Sequence, residues 1–406
     1  MKKILMVALN GSLLSSLDLN EYEVYLLEEE EIYYARPERY QYPIIKDIKF
    51  GGYQQSNGFL EQAIKWHKEI GFHGVVPGLE YAVQAVNTLA ERIELSRPGK
   101  KAVQAFTNKF QLREHCKLAN IPHPDYKKVK GIDEIFSFFK GQPLVIKPAN
   151  RRSSVGVIKI NRFEEIEPAW QECISVDEGF RTVKTRNLTW EYIVEEFMEG
   201  QEVSIETFVH NSQPIFHNIT LKRTTEGPHF VELAHTVPAP ISKDLKEELI
   251  SFKEKLLHTL DTENGLFHSE WKITEDGPKI IECASRAPGD YIPKLISIAY
   301  GFNFYEAYIQ VLMGKNPQVN TDYCKVAKVE YFNPPEGIIE NIEGIEFLRD
   351  LPQVEYFDIS KKIGDKVKPL LSSMDRIGQY IITSETHDDL SKVAQQINNN
   401  VIFTIR

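Results

Sequence analysis

Two glutamates, Glu270 and Glu282, have the type and spacing that most strongly suggest chemistry in this sequence. They flank the turn-forming residues 275–277, and this arrangement predicts a β-hairpin. Because the two positions are an even number of residues apart, a three-residue loop would set their Cβ atoms directly opposite, roughly 4.5–5.5 Å apart. Mg²⁺ relieves the repulsion between such carboxylates and binds substrate phosphates as well. The alternative is that one glutamate pairs with Lys272 or Lys279 on a solvated sheet face.

An arginine, Arg286, follows Glu282 by four residues. A guanidinium at this point would stabilise negative charge on a transferring phosphoryl group or on a tetrahedral adduct. A surface salt bridge is the alternative explanation for this residue taken alone.

A second candidate site is a predicted strand that ends at Lys147 and leads into a small polar loop, Ser153-Ser154-Val155-Gly156-Val157. Backbone N–H groups and hydroxyls in such a loop can bind phosphate oxygens, and the lysine adds a point charge. An exposed turn rich in Ser and Gly would look similar. A third segment, 194–203, is a strand edge followed by a turn, and it could bind an adenine through its main chain and a ribose through a carboxylate.

The elements that must position these residues predict an α/β protein of several parts. Residues 1–97 alternate strand and helix patterns, as in an open α/β domain, and no glycine-rich dinucleotide or Walker motif is present. From 195 the pattern becomes that of antiparallel strands, and one long helix is predicted at about 291–313. The predicted parts are an N-terminal α/β domain (1–97), a helical connector with a helix at 101–118 (98–124), a lid (125–194), a catalytic part (195–320) and a C-terminal α/β part without visible chemistry (321–406).

Composition excludes several classes of function. The formal net charge of −10 argues against a nucleic-acid partner, because phosphate backbones require a basic face. No apolar run is long enough to span a bilayer. The N-terminus imitates a secretory signal, but Asn10 and Gly11 interrupt its short apolar run, and a first β-strand explains it better. The four cysteines are far apart, and we expect a cytoplasmic protein.

Taken together and in this order, the segments between about 105 and 315 resemble the ATP-grasp superfamily. The resemblance implies a mixed α/β fold with an N-terminal open α/β domain, a mobile central lid and a C-terminal antiparallel-sheet domain. It implies that Glu270 and Glu282 bind magnesium, although an asparagine that many members carry as a further ligand is here Ala284. The implied ATP-binding residues are Lys109, Lys147, Ser153, Ser154, Val157, Glu195, Glu196, Met198 and Glu202.

Within that superfamily the segment 229–238 is similar to the substrate segment of bacterial L-amino acid ligases, which make dipeptides. The likeness implies that Glu232 and His235 help hold the amino acids, that His268 could do the same, and that Arg286 binds a substrate carboxylate or the phosphorylated intermediate. Arg286 and Lys147 are the expected catalytic residues. A lone His three residues from a Glu could also be an ordinary pair on a strand. The acidic candidates suggest a cationic first residue, such as arginine.

The expected reaction is dipeptide formation through an aminoacyl phosphate, with release of ADP and phosphate. The expected cofactors are ATP and Mg²⁺, for which Mn²⁺ can substitute. The expected partners are small molecules, with neither nucleic acid nor membrane, and a homodimer is one expected assembly. The alternatives are an ATP-grasp ligase or carboxylase that acts on a different carboxylate, and a nucleotide-binding module without catalysis.

Overall fold

The computed structural model describes residues 1–152, 154–226 and 229–406. Its N-terminal part is a parallel sheet in the order β3-β2-β1-β4 with helices on both faces. The elements are β1 (Lys2–Val7), α1 (Gly11–Ser16), β2 (Tyr22–Glu28), α2 (Glu30–Ala35), β3 (Ile45–Phe50), α3 (Leu60–Ile70), β4 (Gly74–Pro77) and α4 (Val83–Arg92).

Strand β1 is apolar throughout because both of its faces are buried. Ile4 and Met6 belong to one hydrophobic core, whereas Leu5 and Val7 belong to a second core on the opposite face. A continuous apolar run is typical of a parallel strand covered on both sides. The N-terminal segment is therefore the first strand of this sheet.

The connector holds two helices, α5 (Lys100–Phe106) and α6 (Lys109–Leu118), where the sequence predicted one. The break occurs at Asn108, whose side chain accepts hydrogen bonds from the N–H groups of Phe110 and Gln111 and so caps α6. The capped turn makes Lys109 the first residue of the second helix.

The lid (125–194) contains an antiparallel sheet in the order β5-β8-β6-β7, covered by two helices. Its elements are β5 (Tyr126–Val129), α7 (Ile132–Phe138), β6 (Leu144–Pro148), β7 (Ile158–Ile160), α8 (Ile166–Ser175) and β8 (Tyr192–Glu196).

An eight-stranded sheet forms the centre of the described molecule. Its order is β13-β12-β9-β10-β11, followed by three strands of the C-terminal segment, β14 (Val326–Tyr331), β18 (Gly378–Ser384) and β16 (Val354–Ile359). Helix α9 covers one face, and helices α10 and α11 cover the other. The elements of the catalytic part are β9 (Gln201–His210), β10 (Gln213–Thr224), β11 (Glu232–Val237), α9 (Lys243–Thr259), β12 (Gly265–Thr274), β13 (Gly277–Ala284), α10 (Ile292–Tyr300) and α11 (Phe304–Leu312).

The single helix predicted at about 291–313 is wrong, because α10 and α11 are separate. Gly301 ends α10 with a φ of 71°, a left-handed conformation that glycine adopts without strain. Asn303 then caps α11 by accepting from the N–H of Glu306. No helix in the described ranges is long and apolar enough to cross a membrane.

The C-terminal segment supplies three strands to the central sheet and adds a small sheet in the order β17-β15-β19. Strand β14 pairs with β11, so the central sheet continues across residue 320, where the sequence suggested a boundary. The elements are β14 (Val326–Tyr331), β15 (Gly337–Glu343), α12 (Ile345–Asp350), β16 (Val354–Ile359), β17 (Lys366–Val367), β18 (Gly378–Ser384), α13 (His387–Asn400) and β19 (Ile402–Ile405).

Candidate functional site

The hairpin β12–β13 places Glu270 directly opposite Glu282, but by a different route from the one expected. Thr274 pairs with Gly277, so the turn has two residues, and that register alone would misalign the glutamates. A β-bulge at Ile281 inserts one extra residue into β13, and this shift brings Glu282 opposite Glu270. The side chain of Arg113 donates to the carbonyl of Ile281 at 2.7 Å, which satisfies a bulged backbone group.

Different cations hold the two facing carboxylates. Lys109 Nζ lies 2.9 Å from Glu282, and Lys222 Nζ lies 2.7 Å from Glu270. Burial opposes the charged form of Glu282 and Glu270 also acts to raise the pKa of this carboxyl, but Lys109 and Lys147 together outweigh them and lower it. The two glutamates therefore interact electrostatically as well as by register.

These two carboxylates fit a magnesium ion that also binds phosphates. Mg²⁺ usually takes one or two carboxylates plus substrate oxygens and water, and the mutual repulsion of Glu270 and Glu282 favours a cation between them. The described residues contain no group of three or more His, Cys, Asp or Glu side chains that could hold a metal ion by themselves. The remaining oxygens would have to come from the nucleotide and from water.

Histidine His268 lies opposite Ala284 on the same hairpin. Ala284 is the position at which the resemblance implied a further metal ligand. Its Nδ1 is 2.9 Å from Glu206, and its Nε2 is 3.3 Å from Glu270. Burial lowers the pKa of His268, but these carboxylates outweigh it and raise the pKa above its ordinary value. Because both nitrogens face carboxylates, His268 is a partner of Glu270 in this structure and has no nitrogen free for a substrate.

Buried charges also surround Lys147, at the end of β6. Its Nζ lies 2.5 Å from Glu195, and Arg113 approaches the other oxygen of that carboxylate at 2.8 Å. Burial lowers the pKa of Lys147, and the neighbouring Arg113 and Lys109 add to this effect while Glu195 opposes it. Three cations thus gather around two carboxylates, Glu195 and Glu282, and a phosphate group would relieve the excess positive charge.

The loop after β6 lies beside these cations. Ser153 lies outside the described residues. Ser154 has a φ of 53°, and its carbonyl accepts from the N–H of Val157 at 3.1 Å, so the described part is a tight turn. The carbonyl of Arg151, at the start of the loop, accepts from Lys109 Nζ at 2.8 Å. The loop and the hairpin therefore share Lys109 as a common partner.

The residues expected to bind adenine and ribose lie at the end of β8 (Glu195 and Glu196), just after it (Met198) and in β9 (Glu202). The side chain of Glu195 is almost fully buried in its ion pairs, whereas Glu196 and Met198 are partly exposed. Glu202 lies between Lys222 at 2.6 Å and Lys272 at 3.2 Å. Of these four side chains, Glu195 is the one that pairs with Lys147, the lysine at the start of the polar loop.

The other substrate candidates lie on β11 and after β13, and the structure gives each a partner that the sequence did not suggest. Arg286 Nε donates to Glu80 at 2.6 Å, from the turn after β4. His235 Nε2 is 3.4 Å from Asp290. Glu232 accepts from Arg376 at 2.9 Å.

Lysine Lys222 joins these residues to the hairpin. It contacts Glu270 and Glu202 closely, and Glu232 at 4.0 Å, and its side chain is 4% exposed. Burial opposes its charge, but these carboxylates raise the pKa of Lys222 well above its ordinary value. A continuous series of ionic contacts therefore runs along one sheet face from the hairpin to β11.

The sequence reasoning missed Glu80, Arg113, Lys222, Asp290 and Arg376. Arg113 was recoverable, because it lies four residues after Lys109 on one helix and so shares its face. The other four carry no local signal. The C-terminal segment, expected to lack chemistry, contributes Arg376, which contacts Glu232 and Asp290.

A cavity of about 670 Å³ opens beside Glu80, the partner of Arg286, and it lies between the N-terminal part, the connector and the lid. It is lined by Glu80 and Tyr81 and by a series of carboxamide side chains. These include Gln84, Gln104, Asn108 and Asn150. The volume is sufficient for a small polar molecule next to the ion pair of Glu80 and Arg286.

Two family models match the chain. Residues 140–293 match the ATP-grasp domain, and residues 330–406 match the L-amino acid ligase C-terminal domain 2. A solved structure, the L-amino acid ligase from Bacillus licheniformis, superimposes with a TM-score of 0.80 over 100% of this chain and 99% of that chain, at 16% identity.

Two curated relatives have different names. The alanine–anticapsin ligase of Bacillus subtilis (strain 168) is 22% identical over 62% of this chain and 56% of that protein. The phosphoribosylamine–glycine ligase of Halalkalibacterium halodurans is 25% identical over 64% of this chain and 63% of that protein. The chain therefore spans less than two thirds of the length of each of these relatives.

Proposed function

We propose that the chain is a carboxylate–amine ligase that joins two amino acids, because residues 140–293 match the ATP-grasp domain and the fold superimposes on that of an L-amino acid ligase. The observation that carries the proposal is the row of ionic contacts on the central sheet. Lys109 and Glu282 lie at one end of it, Lys222 links Glu270 to Glu232 in the middle, and His235 lies at the other end.

In this proposal Lys147 and Lys109 bind the phosphates of ATP against the polar loop, and Glu270 and Glu282 hold Mg²⁺. When bound, the ion neutralises charge on the transferring phosphoryl group. The lysines release their present carboxylate contacts in part, because phosphate oxygens compete for the same N–H donors. Closure of the lid then excludes water from the reacting groups.

The donor amino acid lies with its ammonium group at Glu232 and its carboxylate toward Arg286. Attack of a carboxylate oxygen on the γ-phosphorus forms an acyl phosphate and releases ADP. The uncharged amine of the second amino acid then attacks the carbonyl carbon, phosphate leaves, and the amine loses a proton. Arg286, fixed by Glu80, stabilises the negative charge that develops on the carbonyl oxygen.

A second candidate has the same activation chemistry and a different amine. The 25% identity to a phosphoribosylamine–glycine ligase favours a phosphorylated amino sugar as the acceptor. We prefer the amino acid as acceptor because residues 330–406 match the C-terminal domain of L-amino acid ligases. This segment contributes Arg376 to a group of contacting residues, Glu232, His235, Asp290 and Arg376, which we call the substrate cluster.

The test is a screen with ATP, Mg²⁺ and all pairs of the standard amino acids, with phosphate release measured and products identified by mass. We expect ADP, phosphate and a dipeptide. Formation of AMP would contradict the acyl-phosphate mechanism. Turnover with glycine and a phosphorylated amino sugar, but with no amino acid pair, would favour the second candidate.

Donor activation can be measured separately, with hydroxylamine in place of the acceptor. A hydroxamate of the donor is the expected product, and it identifies which amino acid is activated. The Glu282→Gln variant should give none, because it lacks a carboxylate of the metal pair.

A further inference from the structure

Arginine Arg376 is the contribution of the C-terminal segment to the substrate cluster. Its guanidinium donates to both oxygens of Asp290, at 2.8 and 3.0 Å, and to Glu232 at 2.9 Å. It also lies 3.8 Å from the ring centre of Tyr331 on β14. A planar cation held by two carboxylates and an aromatic face has little freedom to move.

The backbone beside this cluster is strained. Asp290 and Tyr291 have φ values of 52° and 64°, which place two consecutive non-glycine residues in the left-handed region. Such conformations persist where the surroundings hold them, and they concentrate at functional sites. From this turn Asp290 contacts both Arg376 and His235.

Three buried polar atoms of the cluster make no hydrogen bond within the described part of the chain. They are Nε of Arg376, Nδ1 of His235 and the hydroxyl of Tyr331. A packed structural ion pair would normally satisfy such atoms. Their number in one place indicates that this cluster receives polar groups of a ligand.

The charges of the cluster define what that ligand can carry. Asp290 is neutralised by Arg376, and one oxygen of Glu232 is taken by Arg376 and by the hydroxyl of Ser373. Among the residues that the structure describes, the other oxygen of Glu232 has Lys222 as its charged neighbour, at 4.0 Å. One carboxylate oxygen therefore remains for one ammonium group, which the α-ammonium of a donor amino acid would occupy.

The exposed fractions of the side chains agree with this assignment of charges. The side chains of Glu232 and Asp290 are 19% and 28% exposed, whereas that of Arg376 is 7% exposed. A ligand would meet the carboxylates, with the guanidinium behind them. The acidic residues that suggested a cationic donor are thus already paired with a cation of the chain itself.

We propose that Arg376 is a specificity-determining residue of the donor subsite, and that by neutralising Asp290 it restricts the donor to amino acids with uncharged side chains. This inference rests on the proposed function. Without Arg376, Asp290 would offer a second negative charge next to the donor, and a lysine or arginine side chain would satisfy it.

The test measures hydroxamate formation from alanine, leucine, lysine, arginine and glutamate, each with ATP, Mg²⁺ and hydroxylamine. The natural chain should prefer the uncharged donors. Arg376→Gln should raise kcat/KM for lysine relative to alanine at least about tenfold, the size expected of one added charge interaction. Arg376→Lys keeps the charge and should keep the original preference.

A double variant separates charge from structure. Arg376→Gln with Asp290→Asn removes both charges, so the preference for uncharged donors should return even though the ion pair is absent. A purely structural role predicts that the double variant behaves like Arg376→Gln. That result, or an unchanged lysine-to-alanine ratio in Arg376→Gln, would overturn the inference.

The outcome for the natural chain distinguishes this inference from the proposed function. If it activates no amino acid, the ligase proposal fails and this inference fails with it. If it activates lysine or arginine as readily as alanine, the ligase proposal stands and the role of Arg376 is refuted.

Discussion

Arg376 and Asp290 form a bidentate ion pair although 86 positions separate them in the sequence. The pair joins the segment before β18 to the turn before α10, and it brings the C-terminal segment into contact with the residues that follow the hairpin β12–β13. Fork-to-fork geometry of this kind fixes orientation as well as charge. The pair should therefore matter for stability as well as for substrate choice.

Acid should weaken the fold partly through Asp290. Burial opposes ionisation of this carboxyl, but hydrogen bonds from His235 and Arg376 outweigh it and hold its pKa well below its ordinary value. A carboxyl with a depressed folded pKa adds stability that is fully present above the unfolded pKa, about 3.9, and is lost as the pH falls through the folded pKa.

The Asp290→Asn variant tests this pH dependence. It should lose about 2–3 kcal/mol of unfolding free energy at pH 7, in the range of a charge-assisted hydrogen bond, and the difference from the natural chain should shrink below about pH 4. Urea unfolding at pH 7, 5, 4 and 3 measures it. Asp276→Asn is the matched control, because Asp276 is 83% exposed. A difference that stays constant down to pH 3 would contradict the depressed pKa.

Removal of one metal-binding carboxylate should stop turnover. Glu282→Gln keeps the shape of the side chain and loses its charge, so we expect kcat to fall by at least about 100-fold, as when a group that stabilises transition-state charge is removed. Glu275→Gln, at the exposed tip of the same hairpin, should be near wild type. Turnover by Glu282→Gln within tenfold of the natural chain would refute the metal role.

The cap of α6 should affect nucleotide binding as well as stability. Asn108→Ala removes the hydrogen bonds to the N–H groups of Phe110 and Gln111 and should cost about 1 kcal/mol of unfolding free energy. Since Lys109 is the next residue, the KM for ATP should rise too. Ser242→Ala removes an equivalent cap from α9, remote from the lysines, and should leave this KM unchanged. Equal KM values in both variants would contradict the coupling.

Glu80 should act through Arg286. Glu80→Gln weakens the contact to Arg286 Nε at 2.6 Å, so kcat should fall roughly 10–100-fold, as misplacement of a catalytic group does, with little change in the KM for ATP. Steady-state kinetics at saturating ATP measures the split between these constants. Glu61→Gln, an exposed glutamate on α3, is the control. An increased KM for ATP with an unchanged kcat would indicate a different role for Glu80.

The sequence was sufficient to predict that Glu270 and Glu282 lie on one hairpin, because the turn residues between them are a local signal, but the three-residue loop assumed for their pairing is wrong. It was not sufficient to predict how the pairing arises, because the two-residue turn and the bulge at Ile281 compensate each other. A bulge depends on what satisfies the extra backbone carbonyl, and here that partner is Arg113 on a distant helix.

The helix breaks at Asn108 and Gly301 had visible signals, a capping residue and a C-terminal glycine, which the apolar periodicity around them concealed. Arg376 had none. Its position depends on the insertion of β14 and β18 beside β11, and that strand order is set by long-range packing. The roles of the candidate site residues remain predictions for the experiments above.

The position of β14 has a consequence for exchanging parts between related enzymes. Strand β11 carries Glu232 and His235 and has two neighbours in the sheet, β10 and β14. A chain shortened before β14 would leave β11 as an open edge with unpaired backbone groups, which invites aggregation. A transplant of the proposed donor subsite into another scaffold would therefore have to carry residues 326–384 together with β11.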